Sequence, residues 1–587
     1  MRPLHTLPAA LCAALGFGAA APVAWADTPV VIEGADEGMR EAILDLLPNR
    51  DRPDTLFEAE RIAEEAAARA MAWLRSQGYY AAQVTPEASE SPALARLIIA
   101  PGARFHFAAP RLSFEGSAPD EATADAARQA IGAVREGEPA RAADVLGAQA
   151  AALATLQRAG YADAAAGERR VVVDHALARV TPELHFSAGA RARLGDVRMA
   201  LAAAFRPSFV DNLQNWTRGD AYSPQALSRL RRDMSSTGAV SRVTTRLDPP
   251  GEDGLSDVVL EVELARRNAY EFGLGYSTTE GAGVEAQWTR RNLSGRADPL
   301  TVATTLGETQ QNISATLTRP HAAGLGHGVN FGVSVEREMS EAYTRQGVAL
   351  HASVDAARRL RTSRSYGVNL SADNYDDLAG GVSNAVVLSS FLNLRNDSTE
   401  FSLDPRDGSI AEFRIEPSVS TGDETLGFVR ASAEGRLYQS LGENDRLTLA
   451  ARARTGWLAP VAGDADDAPP DRRFYVGGGG SVRGYGYNTI YPAERDLAGL
   501  SPGGQGLFEG SLEARWRFGE RIGAAIFVDG GNAFDDWSDA ADLRWGVGVG
   551  ARYDLGFAPL RIDIAFPLDN NETNDSYALY ISLGQAF

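Results

Sequence analysis

At 587 residues the chain exceeds what one hydrophobic core organises, and it carries a formal net charge of −20 in which all 57 basic residues are arginine. So acidic a chain repels phosphate backbones, which excludes nucleic acid as a partner, and the lack of lysine excludes Schiff-base and P-loop lysine chemistry. Without a Gly-x-Ser-x-Gly, paired-histidine or nucleotide motif, the chain is expected to be no enzyme, with no catalytic residue, metal or cofactor.

The first element is a leader. Arg2 and His5 precede the apolar residues 7–23 and then Ala24-Trp25-Ala26, whose small residues at alternate positions suit a signal peptidase, so residues 1–26 are expected to be a signal peptide. Cys12, the single cysteine, lies inside it behind Leu11, which is too bulky for a typical lipoprotein site; the mature chain then has no thiol for disulfides, nucleophiles or metals. His106, His175, His185, His321, His327 and His351 are scattered without ligand spacing. No later stretch reaches the ~18–20 apolar residues of a spanning helix, so any membrane passage must be by strands.

Residues 27–266 repeat one order three times. Residues 54–77 have helical composition, stop at Gly78, and pass into strands near 81–88 and 96–102. The second unit opens with a strand at 110–116, runs through helices near 120–133 and 141–159, stops at Gly160, and ends in two strands. The third has helices near 207–215 and 224–237, a stop at Gly238, and two more strands. Gly78-Tyr79 and Gly160-Tyr161 match, as do the junctions Gly102-Ala103-Arg104 and Gly189-Ala190-Arg191; stops about eighty residues apart mark internal repeats over 27–103, 104–188 and 189–266. A generic α+β tandem remains the alternative for these units taken alone.

From residue 267 to 587 the texture alternates. Tyr270, Phe272, Leu274 and Tyr276 share one face against Glu271, Gly273, Gly275 and Ser277, and Trp545, Val547 and Val549 oppose Arg544, Gly546 and Gly548. About sixteen such segments, at roughly twenty residues each, suit a closed transmembrane barrel with a polar lumen and an apolar exterior; a soluble β-repeat protein is the alternative. The last segment places Tyr577, Leu579, Ile581, Leu583 and Phe587 outward, with Gln585 the polar departure, which resembles the terminal recognition signal of outer-membrane barrels.

The irregular stretch of residues 458–506 contains Val482-Arg483-Gly484-Tyr485 behind four glycines, Gly477 to Gly480. That motif resembles the Val-Arg-Gly-Phe/Tyr motif of the inward-folded sixth surface loop in the POTRA-barrel outer-membrane assembly superfamily, the BamA/TamA-like proteins. Phe527-Val528-Asp529-Gly530-Gly531 resembles its Phe-x-Asp-x-Gly motif, Glu513 its acidic neighbour, and Asp404 to Gly408 the turn before its ninth strand. The helix-then-strand units resemble its polypeptide-transport-associated (POTRA) domains, and with three of them the resemblance is closest to the TamA branch, the outer-membrane subunits of the translocation and assembly module. The implied fold is three β-α-α-β-β POTRA repeats, then a 16-stranded antiparallel barrel over 267–587.

On that resemblance Arg483 latches the loop to Glu513 and Asp529, which alternation turns to the lumen beside Phe527; a floppy linker is the bland alternative for the glycines. Closure joins the first and last strands at a lateral seam in which Gly273, Gly275 and Phe587 are expected to lie. The implied function is capture of unfolded outer-membrane proteins and autotransporters by POTRA strand addition and their insertion through the seam. The implied place is the outer membrane, with the arm in the periplasm, a TamB-like inner-membrane-anchored, periplasm-spanning partner, and contact with outer-membrane lipid and lipopolysaccharide. A polypeptide-secreting or passive pore, and a lipid-transport bridge, stay open as other classes. Acidic loops at Asp373, Asp376 and Asp377 and at Asp464, Asp466 and Asp467 are read as solvated charge rather than cation sites.

Overall fold

Each repeat builds the same small unit from the same local signals. The computed structural model describes residues 30–587 apart from 49, 51, 360, 378–381, 402, 423–424, 443–444, 496–499, 501, 520, 570–575 and 586, so the expected leader with Cys12 lies outside the described residues. In the first repeat strand Val30–Glu33 leads to helices Glu37–Leu44 and Leu56–Ser76, then to strands Gln83–Glu90 and Ala93–Ala100. Thr55 caps the long helix by accepting from the Glu58 N–H, and an alanine-rich stripe with Ile62 and Leu74 packs on the sheet. The opening strand and the short first helix agree with the β-α-α-β-β order that the resemblance implies, although four and eight residues are too few to show a period of their own.

All three sheets share one topology, with the last strand of the repeat in the centre. Ala93–Ala100 runs parallel to Val30–Glu33 and antiparallel to Gln83–Glu90. Arg179–Ser187 runs parallel to Arg111–Phe114 and antiparallel to Arg170–Asp174. Ser256–Leu264 runs parallel to Leu194–Met199 and antiparallel to Val240–Leu247. The repeated Gly-Tyr and Gly-Ala-Arg motifs form the joints: Arg104 Nε donates to the Gln77 carbonyl and Arg191 Nε to the Ala159 carbonyl, each at 3.0 Å, so an arginine meets the carbonyl end of the preceding helix. The carbonyls of Gly78 and Gly160 accept from the next linker, from Phe105 N–H and Ala192 N–H, both at 2.9 Å.

The described residues form two compact units, one reaching to Arg193 with Gly219–Pro224, the other made of Leu194–Arg218 and Gln225–Phe587. The third repeat therefore belongs with the barrel, to which it is bonded directly. Arg206 N–H donates to the Gly295 carbonyl (2.7 Å) and Arg206 Nε to the Ser294 carbonyl (2.8 Å). His321 meets the Asp233 carbonyl at 2.9 Å.

Residues 268–583 close into an antiparallel barrel of sixteen strands among the described residues, each paired with its neighbours in sequence and the first, Asn268–Ser277, with the last, Ala578–Leu583. Period two sets the faces. Tyr270, Phe272, Leu274 and Tyr276 point outward and exposed, as do Phe331, Val333, Trp545 and Val549, while Asn330, Ser334 and Arg552 are buried within. An apolar face this continuous is stable only against lipid. Among the described residues no helix is long and apolar enough to cross a membrane.

Three expectations are corrected here. Asp373 and Asp376 are not in a loop but in the seventh strand, Thr362–Asp377, where Asp373 is buried against Arg345 at 2.9 Å; Asp464, Asp466 and Asp467 do lie in a loop, where Asp466 pairs with Arg495. The irregular connection starts later than residue 458, because the eleventh strand, Leu447–Ala462, runs past it. Phe587 does not continue the outward alternation: Gly584 turns the chain at φ +88°, and Phe587 packs inside the barrel against Ile410, Tyr438 and Ala450.

Asp120 joins a helix start to the tyrosine of a stop motif, accepting from the Thr123 N–H (2.9 Å) and from the Tyr161 hydroxyl (3.0 Å). The Thr123 N–H above all holds its carboxyl below the usual carboxylate range. Its stabilisation is therefore complete above the unfolded carboxylate pKa of about 4 and lost as pH falls through the lower folded value. Hydrogen exchange across helix Glu121–Ala130 should show this acid-limb loss in the native chain and not in Asp120→Asn; identical pH profiles would remove Asp120 from the account.

Candidate functional site

Between the eleventh strand and the twelfth, Gly506–Arg517, the connection folds back into the lumen and brings Arg483 to its wall. Arg483 is 1% exposed. Its Nε and Nη2 form a two-pronged contact with Asp529, at 2.7 and 2.9 Å, and its own N–H reaches the same carboxylate at 3.2 Å. Nη1 reaches Glu513 at 3.0 Å and Asp563 at 3.2 Å. The guanidinium lies over the Phe527 ring, 3.4 Å from its centroid.

The wall strands explain the placement. Glu513 sits on the twelfth strand, Phe527 and Asp529 on the thirteenth, Ile522–Phe534, and Asp563 on the fifteenth, Pro559–Pro567, each turned inward by alternation. On the fourteenth strand, Arg544–Asp554, glycines stand where a Cβ would collide with the Arg483 carbonyl at Gly546, with the Phe527 ring at Gly548 and with Asp563 at Gly550. Those alternating glycines leave room for the latch rather than merely lining water.

Two of the three carboxylates, Glu513 and Asp563, are shared with further arginines. Arg515 and Arg552 bond Glu513 at 2.9 and 3.1 Å, Arg552 also bonds Asp563, and Arg561 approaches it at 3.5 Å. A connected network of forks and carboxylates satisfies buried charge that no isolated pair would. Asp563 was missed in the sequence; the signal was there in Ile562-Asp563-Ile564, a lone acid between two outward isoleucines.

The other motif residues anchor the loop elsewhere. Val482 is buried with Phe474, Val476, Tyr485 and Leu507 in an apolar cluster that fills the lumen, and Tyr485 donates its hydroxyl to the Trp545 carbonyl at 3.1 Å. Gly484, at φ +102°, backs onto Pro567, where a side chain would not fit. Its N–H donates to the Tyr580 hydroxyl on the sixteenth strand at 3.1 Å, and Gly479 N–H donates to Glu280 in the turn after the first strand at 2.6 Å. The loop thus holds both sides of the seam from within.

That seam is short. The ladder between the first strand and the last holds Gly275, Tyr276 and Ser277, opposite Ser582, Ile581 and Tyr580, extended by Thr278, which exchanges hydrogen bonds with Leu579 at 2.9 and 3.0 Å, whereas the fifteenth and sixteenth strands pair over six positions. Of the expected seam residues Gly275 is in the ladder. Gly273 is not: it pairs across to Glu285 of the second strand and has no partner on the seam side among the described residues. Phe587 is turned away from the seam altogether, its ring 5.5 Å from the Arg515 guanidinium and its carbonyl accepting from Arg515 at 3.2 Å. Residues 268–274 of the first strand consequently keep a free edge. No group of three or more potential metal ligands occurs among the described residues.

Comparison with known proteins gives a consistent family. The Omp85 superfamily domain matches residues 292–587. Outer membrane protein assembly factor BamA of Nitratidesulfovibrio vulgaris is 25% identical over 392 residues, 63% of this chain and 48% of that protein, so the chain spans about half the length of that relative. The sorting and assembly machinery component 50 homolog of Mus musculus is 24% identical over 382 residues, 58% of this chain and 77% of its own. In fold, BamA from Haemophilus ducreyi lacking POTRA domains 1–3 superposes with a TM-score of 0.67 at 15% identity, over 82% of this chain and 100% of that one.

Replacing Arg483 by alanine strips Asp529 of both guanidinium hydrogen bonds, leaves it only the backbone N–H of residue 483, and so leaves a buried charge uncompensated, a loss of about 3–5 kcal/mol. Thermal unfolding of the purified barrel should show that loss for Arg483→Ala, partial recovery for Arg483→Lys, which supplies a point charge without the fork, and partial recovery again in Arg483→Ala/Asp529→Asn. Equal stability of native and Arg483→Ala chains would make the latch decorative.

Proposed function

The chain belongs to the Omp85 superfamily, and from that premise we propose that it is an outer-membrane assembly factor which takes unfolded barrel polypeptides at its seam and passes them into the bilayer. The observation that carries this reading is the three-residue seam beside a seven-residue free strand edge, 268–274. In hydrocarbon an unpaired edge leaves N–H and C=O groups unsatisfied, so the edge draws an incoming strand by main-chain hydrogen bonds alone, without regard to its sequence. A substrate defined by strand formation rather than by side chains is what such an edge selects.

The arm supports the same reading. Three small mixed sheets with exposed edges, placed in the periplasm, would hold extended chains before they reach the barrel. Three repeats favour the TamA-like branch, with substrates such as autotransporters and an inner-membrane-anchored, periplasm-spanning partner at the far end; outer-membrane lipid and lipopolysaccharide surround the barrel. A passive pore fits less well, because the latched loop fills the lumen with buried side chains.

In this mechanism the loop sets how easily the seam parts. With Gly479 on Glu280 and Gly484 on Tyr580, the loop braces the two strands that must separate, and Arg483 fixes the brace to the wall of the twelfth, thirteenth and fifteenth strands. Opening then requires breaking three ladder pairs, the Thr278–Leu579 hydrogen bonds beside them and at least one brace contact.

Two measurements test this. Gly275 and Ser582 are register partners, so Gly275→Cys/Ser582→Cys should form a disulfide that stops insertion of a barrel substrate into liposomes and releases the block on reduction; full insertion by the locked protein overturns the seam. Separately, Glu280→Ala and Tyr580→Phe should raise the rate at which a bulky thiol reagent reaches a cysteine placed at Tyr276, by roughly tenfold for a lost hydrogen bond to a charged acceptor and less for the neutral one. Unchanged labelling in both would show that the loop does not brace the seam.

A further inference from the structure

The lumen contains a second charged cavity, of about 410 Å³, with Gly477, Gly480 and Ser481 of the same loop in one wall. Its charged lining is Arg345, Arg430, Arg454 and Arg473 against Glu280, Glu338 and Asp471, an excess of one cation. Each acid has donors of its own: Glu280 takes the Gly479 N–H, Glu338 the Tyr487 hydroxyl at 2.9 Å, and Asp471 the Tyr375 hydroxyl at 2.5 Å. Three of the four arginines are paired, Arg345 with Asp373, Arg454 with Glu509 at 3.4 Å and Arg473 with Asp535 at 3.2 Å.

Arg430 is the exception. Among the described residues it makes no ion pair, and its buried Nε has no hydrogen-bond partner. Glu416, its register neighbour on the ninth strand, is engaged by Arg414 at 2.9 Å and Arg472 at 3.5 Å. What Arg430 does touch is the face of Phe474, 4.3 Å from the ring centroid. A guanidinium stacked on a ring keeps its N–H groups free in its own plane, and that fork matches the edge of an oxyanion. A half-buried cation without a paired carboxylate is costly, and a second arginine lining the same cavity raises the cost until an anion enters.

We propose that this cavity is an anion site that takes an oxyanion of phosphate size, held by Arg430 and Arg454 with the loop backbone as its third wall. The anion supplies the charge missing from the lumen's ion-pair network and ties the loop to the tenth and eleventh strands, beside its latch. The inference stands on the cavity and its unpaired arginine, independently of the insertion reading. Its ligand chemistry has two sources, free phosphate or the phosphoryl group of a lipid.

The test is thermal unfolding of the full chain in neutral detergent micelles, with inorganic phosphate titrated against chloride at constant ionic strength, and in parallel with micelles doped with phosphatidic acid. The unfolding temperature of the native chain should rise saturably with phosphate, or with phosphatidic acid alone if the source is lipid. Arg430→Gln should shift the midpoint concentration upward by about tenfold or more, Arg430→Lys by less, and Arg337→Gln, an exposed arginine outside the cavity, not at all. Should Arg430→Gln not fold, Arg454→Gln carries the same expectation. No saturable response in the native chain means water fills the cavity and overturns the proposal; an equal response in native, Arg430→Gln and Arg454→Gln chains means an adventitious ion only and overturns it as well.

Discussion

A guanidinium taken out of water must be met on every side, and that of Arg483 is met by three carboxylates and an aromatic face. Everything distinctive about the barrel follows from satisfying that one charge. The acids have to point inward from three strands, the glycines of the fourteenth strand have to give way, and the loop has to leave the outer rim and run into the lumen. A lysine could not replace the fork, since one point charge cannot serve Asp529 twice and still reach Glu513 and Asp563.

Burying the loop has a mechanical result. An unplugged barrel of sixteen strands would be held shut by its ladder alone, and here the ladder fails at one place, where three residue pairs join the first strand to the last. The inward turn at Gly584 removes the rest of the terminal segment from the seam and seats Phe587 beside Arg515, so the first strand keeps an unpaired edge toward lipid. The loop contacts at Glu280 and Tyr580 compensate in part for those missing pairs. Strength in the latch and weakness in the seam are thus parts of one arrangement: the ladder is continuous along the wall that holds Arg483 and short where the first strand meets the last.

The same logic separates the third repeat from the first two. Arg206, Asn292 and His321 bond it to barrel turns, and most of its residues belong to the barrel's compact unit, whereas the first two repeats form a unit in which Arg104 meets the end of the preceding helix.

Much of this was legible in the residue order. Period-two alternation gave the strands and their faces, because side-chain direction in a strand depends on nothing beyond its neighbours; the Gly-Tyr stops and Gly-Ala-Arg junctions gave the repeats; and Val482 to Tyr485 with Asp529 and Glu513 gave the latch. What the chain alone could not decide was everything set by closure. Alternation says that Asp563 faces inward but not that it meets Arg483 from eighty residues away, and it cannot tell that Gly275 lies in the seam while Gly273 does not, since that depends on register across a gap of three hundred residues. Phe587 obeys the outward rule only while the strand lasts, and one left-handed glycine ends it. Local chemistry determined which way each side chain points; the shear of the closed barrel decided what stands opposite it.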